Sequence, residues 1–335
     1  MLHLAILGFF VSFIVTRVVA EPLINYLWNR GIVRPDAHKP GKPSVAHGGG
    51  VILFAGISTG IALVMTLLGA PLSLKVLIIY ASATLCFIVG LVDDIKILKG
   101  QVKTLLSILG IVPVLITGLT APALIDWGRP ELPVIGRMRL TIIYWVLMPL
   151  SIAGAANVVN MLDVMNGIVP GTSIIIFLTL ALVSLMLGKE TTLIVSLVVL
   201  GALLAYYKYN AYPARVFNGD SGSLFLGAFV GAIAVVDHLE FIALTLLLPH
   251  VLNGFFILVS FRGFREHREV GKRPIRVGED GTLYASTDPD APLSLTRIML
   301  AVGGPSTEKE VARAYIALEA VVAVLAVVSV LLSFR

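Results

Sequence analysis

The chain has 335 residues, of which 57% are hydrophobic and only 13% charged, with a mean hydropathy of +0.95. A soluble domain carries about a quarter charged residues, so the composition excludes a soluble globular protein. Apolar runs of the roughly 20 residues needed to cross a bilayer recur throughout, and the predicted fold class is an all-α polytopic membrane protein. The one cysteine, Cys86, lies inside an apolar run, which excludes a disulfide framework and a thiolate metal centre. The net charge of +5 reads as basic loops that set topology, and no nucleic-acid partner is expected.

The first apolar stretch ends in Val18-Val19-Ala20, which resembles a signal-peptidase site. It lacks a basic leader region and carries Arg17, so it is expected to stay as the first span. About ten spans are predicted, over 2–27, 48–69, 73–92, 103–120, 140–158, 168–187, 190–207, 221–237, 239–261 and 310–333. Lys and Arg crowd the loops after the odd-numbered spans, which puts those loops in the cytoplasm and both termini outside. The segment from Ala121 to Arg139 reads as an external connector. The soluble piece from about 262 to 309 carries β-like runs at Lys272 to Val277, Thr282 to Ser286 and Leu293 to Met299. It predicts a small cytoplasmic hairpin or αβ insert before the last helix, within one catalytic domain that spans 1–335.

The polar motifs collect on the same side. The third span runs into Asp93-Asp94, followed by Lys96, Lys99 and Lys103. Carboxylates are costly inside hydrocarbon, so this pair belongs at the water boundary or in a polar cavity; a capping pair is the plain alternative. In ANVVNMLDVMNG, Asn157, Asn160, Asp163 and Asn166 recur every three residues, and on a helix the first three share a face. Amide and carboxylate oxygens suit a hard divalent cation, while a polar helix end closed by Gly167 is the competing explanation. In YNAYPARVFNGDSG, Asn218-Gly219-Asp220-Ser221-Gly222 forms a turn, beside Arg215 and the ring of Phe217. There a carboxylate, an aromatic platform and close-approach glycines suit a nucleotide diphosphate; Asp220 or Ser221 as a simple helix cap is the alternative. The tract FRGFREHREVGKRPIR is densely basic. Arg265, His267 and Arg268 lie close enough in sequence to meet one phosphate together, although such a tract also serves as an anchor on anionic lipid. In the first cytoplasmic loop, Asp36, Lys39 and His47 could reach phosphate or sugar.

Taken together, LVDDIKILKGQVK, NVVNMLDVMNG, YPARVFNGDSGS, RGFREHRE and LSLTRIMLAVGGP make the chain resemble the polyprenyl-phosphate N-acetylhexosamine-1-phosphate transferases of glycosyltransferase family 4. The likeness covers essentially the whole chain. It is closest to the dolichyl-phosphate N-acetylglucosaminephosphotransferases of archaea and eukaryotes. The resemblance implies a ten-helix fold and transfer of GlcNAc-1-phosphate from UDP-GlcNAc to dolichyl or another polyprenyl phosphate, with release of UMP. This would be the first membrane step of lipid-linked oligosaccharide synthesis for N-glycosylation. It implies Mg²⁺ as cofactor, with Mn²⁺ as a substitute, and the bilayer as a partner; a homodimer is one allowed assembly. Carried over residue by residue, Asn160 and Asp220 would be metal ligands, and Lys103 would contact the donor diphosphate. Asp93 and Asp94 would act at the acceptor phosphate and the metal. Phe217 would stack on uracil, Asn166 would bond to its edge, and Arg268 with its neighbours would hold the pyrophosphate or sugar. Glu266 stands where an adjacent cation is expected, so Arg265 is a stand-in there. Asp163 looks like the bacterial branch, whose three-histidine run is absent.

Two readings compete from other classes. A transporter would place its acids at the midplane on broken helices. An intramembrane aspartyl protease is disfavoured because Val216-Phe217-Asn218-Gly219 lacks the first glycine of the GxGD pattern. An unbroken helix would carry Lys103 about 15 Å along the axis from Asp93. A break near Gly100 is therefore predicted, so that both reach one ligand.

Overall fold

The first apolar run forms one helix, α1 (Leu2–Asn29), and two short strands, β1 (Val33–Pro35) and β2 (Ser44–His47), follow it. This computed structural model describes residues 1–125, 130–132, 136–260 and 272–333. Helices α2 (Gly50–Leu67) and α3 (Ala70–Lys96) come next. The segment α4 (Gly100–Ser107) then continues through a 3-10 turn at Ile108–Ile111 into α5 (Val112–Thr120). The ribbon β3 (Glu131–Leu132) and β4 (Gly136–Arg137) leads to α6 (Thr141–Leu162), α7 (Ile168–Leu187) and α8 (Glu190–Asn210). After β5 (Val216–Phe217) come α9 (Gly219–Asp237), α10 (Glu240–Leu246), α11 (Leu248–Ser260), the hairpin β6 (Ile275–Val277) and β7 (Leu283–Ala285), α12 (Leu295–Gly303) and α13 (Glu308–Ser333). Among the described residues nine spans are long and apolar enough to cross a membrane, and the α10–α11 pair makes a tenth. The protein is an integral membrane protein built from helices.

Helix α9 is the axis of the bundle. Its membrane-length window is 94% buried, against 28% for α1, and the reason is its run of small residues. A methyl group added at Gly227 would lie 2.4 Å from the Ala155 carbonyl oxygen, and one at Gly231 would lie 2.4 Å from that of Ser151. Those two glycines therefore set the distance between α9 and α6. Without a hydrophobic drive between helices in lipid, such close packing holds a bundle together. On the other side Phe54, Phe87 and Phe225 stack between α2, α3 and α9, with Phe54 and Phe87 centroids 4.2 Å apart. The perimeter is apolar and open to lipid, as at Ile14, Val18, Ile142 and Val146.

Three expectations change. The last predicted β-like run, Leu293 to Met299, is helical: Ser294 Oγ accepts the Arg297 N–H and caps α12. The ninth span, expected to be continuous over 239–261, bends by 68° between α10 and α11. Pro249, the second residue of α11, has no N–H to give back to the preceding turn, so the helix breaks there. The fourth span begins at Gly100 and is interrupted by the 3-10 turn at Ile108–Ile111. By contrast, the predicted break before Lys103 is present. Helix α3 stops at Lys96, Ile97 adopts a left-handed φ of 48°, and α4 starts at Gly100.

Helix α3 approaches α9 through Gly90. A Cβ there would lie 2.4 Å from the Asp220 carbonyl oxygen and 2.5 Å from the Ser221 nitrogen. Gly90→Ala is therefore expected to push apart the two helices that carry the acids, costing on the order of 1–3 kcal/mol and most of the activity. Thermal unfolding and turnover of the variant check both effects.

Candidate active site

Four loops and helix ends meet at one end of the bundle. Strand β2 pairs antiparallel with β1 and parallel with β5, so the first loop is fixed to the α8–α9 connection through Ala46 to Val216 and His47 to Phe217. Asn210, at the end of α8, ties the same region together, taking the Gly167 N–H at 3.0 Å and donating to the Val216 carbonyl at 2.9 Å.

The acidic cluster is built on α3 and α9. Lys103 Nζ lies 3.2 Å from Asp93 Oδ2 and 2.8 Å from Asp220 Oδ2, so the break after α3 folds the lysine back between the two carboxylates. Asp93 is buried, and its other oxygen accepts the Leu98 N–H, which closes the α3–α4 corner. Asn160 Nδ2 donates to Asp220 Oδ1 at 2.6 Å and to Ser223 Oγ at 2.9 Å.

Asp94 has a different position. Its Oδ1 accepts the Asp220 N–H at 2.7 Å and faces His47 Nε2 at 3.1 Å. Its Oδ2 accepts the Ser221 N–H at 3.1 Å and the Ser221 hydroxyl at 2.6 Å. The carboxylate thus caps the N-terminus of α9 from another helix, where an anion is favoured by the free N–H groups and the helix dipole. Gly219, at φ 70°, leaves room for it, since a methyl there would sit 2.5 Å from Asp94 Oδ2. The cap expected from Asp220 or Ser221 is supplied instead by Asp94, and His47 stands behind Asp94.

The three-residue spacing on α6 does not make a single polar face. Asn157 turns to Thr104 and Ser107, Asn160 to Asp220, and Asp163, just past the helix, accepts from Asn218 Nδ2 at 2.9 Å. Burial pushes the Asp163 carboxyl up to about 7, and the Asp94 charge adds to this against the Asn218 hydrogen bond and the nearby His47. Between its ordinary value of 3.8 and about 7 the unfolded chain loses this proton while the folded chain keeps it. Stability therefore falls as pH rises through that window. Asp163→Asn keeps the acceptor for Asn218, and in metal-free buffer it is expected to be more stable than the parent by about 2–4 kcal/mol at pH 8 and no different at pH 3.5. Thermal unfolding at the two pH values checks this.

A cavity of about 250 Å³ lies beside the cluster, with Asp36, His47, Asp163, Asn166, Phe217 and Asp220 in its wall. Three hydrogen bonds hold the Asn166 side chain. Its Oδ1 accepts from Lys39 Nζ at 2.9 Å and from the Ala214 N–H at 2.7 Å, and its Nδ2 donates to Asp36 Oδ2 at 3.2 Å. Glu308, at the start of α13, accepts the Asn166 N–H at 2.9 Å and lies 3.2 Å from Lys39. Asp36, His38 and Glu308 form a metal-like group. The Lys39 ammonium, paired with both acids, already supplies the cation there, and burial holds the His38 imidazole down to about 4. Glu308 and Ser223 were not found from sequence, and Asn218 was read only as a turn residue. Glu308-Lys309-Glu310 reads there as an ordinary acidic helix start, and only tertiary packing makes Glu308 a buried acceptor. Arg265, His267 and Arg268 lie outside the described residues.

The oxygen-rich donor set fits a hard cation. Asn160 and Asp220 face each other, an amide and a carboxylate with no sulfur in the cluster, as Mg²⁺ requires.

A family model, Glycosyl transferase family 4, matches residues 76–238. A protein of Saccharolobus solfataricus, provisionally named a UDP-N-acetylglucosamine–dolichyl-phosphate N-acetylglucosaminephosphotransferase, is 28% identical over 327 residues, covering 96% of this chain and 94% of its own. A Sulfolobus acidocaldarius protein with the same provisional name is 26% identical over 89% of this chain and 88% of its own. A phospho-N-acetylmuramoyl-pentapeptide-transferase of Clostridium perfringens is 29% identical over 78% of this chain and 82% of its own. The matched stretch contains Asp93, Asp94, Lys103, Asn160 and Asp220, the residues that the fold gathers around one helix end, and over that stretch the chain is similar to glycosyl transferase family 4.

Proposed function

We propose that this enzyme transfers GlcNAc-1-phosphate from UDP-GlcNAc to dolichyl or a related polyprenyl phosphate, releasing UMP and beginning a lipid-linked oligosaccharide used in N-glycosylation. The observation that carries the reading is Lys103 set between Asp93 and Asp220, next to Asn160, at the rim of an apolar helix bundle. The relatives' names supply the substrates. The excess of basic loops supports a site that faces the cytoplasm, with both termini outside.

Two anionic substrates must meet, so the site has to screen phosphate from phosphate. Asn160 and Asp220 would hold Mg²⁺, which when bound neutralises charge on the donor diphosphate; Mn²⁺ would serve in its place. Lys103 supplies a fixed cation at the same point. Phe217, half-buried in the cavity wall, offers its ring to the uracil. Asn166 has both acceptor directions of Oδ1 filled and one Nδ2 hydrogen beyond Asp36. The edge it offers is a donor, which suits a pyrimidine carbonyl.

A phosphate monoester has its second pKa near 6, so the acceptor is mostly a dianion at neutral pH and needs little base catalysis. Its oxygen attacks the β-phosphorus of the donor. The new P–O bond forms as the bond to the bridging oxygen breaks, and the electron pair leaves on UMP. Asp93 positions the acceptor and takes any residual proton. Direct attack predicts inversion at a chiral β-phosphorus; net retention would instead support a covalent aspartyl intermediate. The acids gather at one end of the bundle rather than at its middle, which favours chemistry over transport. UMP release that needs both UDP-GlcNAc and a lipid phosphate tests this, and sugar-nucleotide uptake into liposomes without UMP release would overturn it.

A further inference from the structure

A second charged cluster lies at the same end of the bundle, away from the acids. Its centre is Tyr209, on the last turn of α8. The ring is fully buried, yet three cations pack over it: Arg17 at 5.5 Å, Lys208 at 4.9 Å and Arg215 at 5.6 Å from the centroid. The Arg17 guanidinium also donates to the Tyr209 hydroxyl. Arg215 is satisfied by a two-pronged pair with Glu21, at 2.6 and 2.7 Å. Among the described residues no carboxylate pairs with Arg17 or Lys208, so the cluster keeps two uncompensated charges.

The surroundings specify the kind of ligand. Arg17 is exposed on the outer face of α1, next to Val18 and about one turn from Ile14, which are 65% and 56% exposed on the apolar perimeter. Further along α1, Tyr26 and Trp28 are exposed as well. Cations beside an apolar, lipid-facing wall match the phosphate and acyl chains of a lipid. Because that wall belongs to the lipid-facing perimeter, the anion within reach of these cations is a headgroup carried by acyl chains.

We propose that Arg17, Lys208 and the Tyr209 ring form a binding site for the phosphate headgroup of an anionic membrane phospholipid. The occupant borders the α8–α9 connection, in which Arg215 N–H bonds to the Tyr209 carbonyl and Ala214 N–H to Asn166. The site is distinct from the acidic cluster and does not depend on the reaction assigned above.

The test is native mass spectrometry of the full-length protein released from nanodiscs of phosphatidylcholine doped with phosphatidylglycerol. One phosphatidylglycerol should be retained per chain. Each cation near an anionic surface contributes about 1 kcal/mol, so Arg17→Gln/Lys208→Gln should weaken retention about thirtyfold. Arg30→Gln/Lys42→Gln removes two exposed charges from the same end and should leave it unchanged. Lys208→Gln alone, at an exposed helix end, should weaken retention about fivefold, and Arg17→Lys should keep most of it. The proposal is overturned if the parent protein retains no phosphatidylglycerol, if both double variants lose it equally, or if inorganic phosphate displaces it at the same concentration.

Discussion

Asp220→Ala is expected to lower turnover by at least about 100-fold, the scale seen when one fixed electrostatic contact to a reacting centre is removed, while stability stays near that of the parent. Asp220 is partly exposed, and its partners Lys103 and Asn160 each keep another contact, Lys103 to Asp93 and Asn160 to Ser223. Removing the carboxylate therefore leaves little that is buried and unpaired. The loss should also appear as weaker metal dependence, read from UMP release across a Mg²⁺ titration. A variant with normal turnover would remove Asp220 from the reaction.

Asp94→Ala should behave differently, losing stability together with activity. Its carboxylate takes two backbone N–H groups and one hydroxyl at the start of α9, and alanine would leave all three without a partner in a buried place. The expected cost is about 3 kcal/mol. Because the freed N–H groups belong to Asp220 and Ser221, turnover should fall as the Asp220 carboxylate loses its fixed position. Asp94→Asn keeps one acceptor oxygen and should recover part of both. Thermal unfolding beside turnover separates this from the Asp220 case: a stable but inactive Asp94→Ala would mean that Asp94 meets the substrate directly.

The contrast between these two aspartates marks how far the site could be read in the chain. Residue type and motif placed Asp93, Asp94, Lys103, Asn160 and Asp220 together. The distance from Asp93 to Lys103 along a helix required the break that Ile97 and Gly100 provide. The number of spans followed from apolar length alone. What could not be read was partner choice. Asp94 serves as a cap because α3 crosses α9 at Gly90, a contact between residues 130 positions apart. The β2–β5 pairing joins Ala46 to Val216 and has no local signal. Glu308 becomes part of the Asn166 network only when α13 packs beside the first loop.

Two local errors had signals that were outweighed. In Leu293 to Met299, β-branched and apolar residues suggested a strand, while Ser294 and the spacing of Leu295, Ile298 and Met299 indicated a capped helix. In 239–261, hydropathy suggested one straight span although Pro249 already pointed to a break. The expected common face of Asn157, Asn160 and Asp163 failed because α6 ends at Leu162, which frees Asp163 to turn towards Asn218.

The central claim is that one oxygen-rich cluster at the bundle rim joins a water-borne sugar nucleotide to a lipid-borne phosphate. The most direct measurement incubates the purified protein with Mg²⁺, labelled UDP-GlcNAc and dolichyl phosphate and identifies the lipid product by mass. The account predicts GlcNAc-diphosphodolichol and UMP in equal amounts, with neither formed by Asp220→Ala or after chelation of the metal. A lipid product lacking the diphosphate, or an unchanged yield without Asp220, would contradict it.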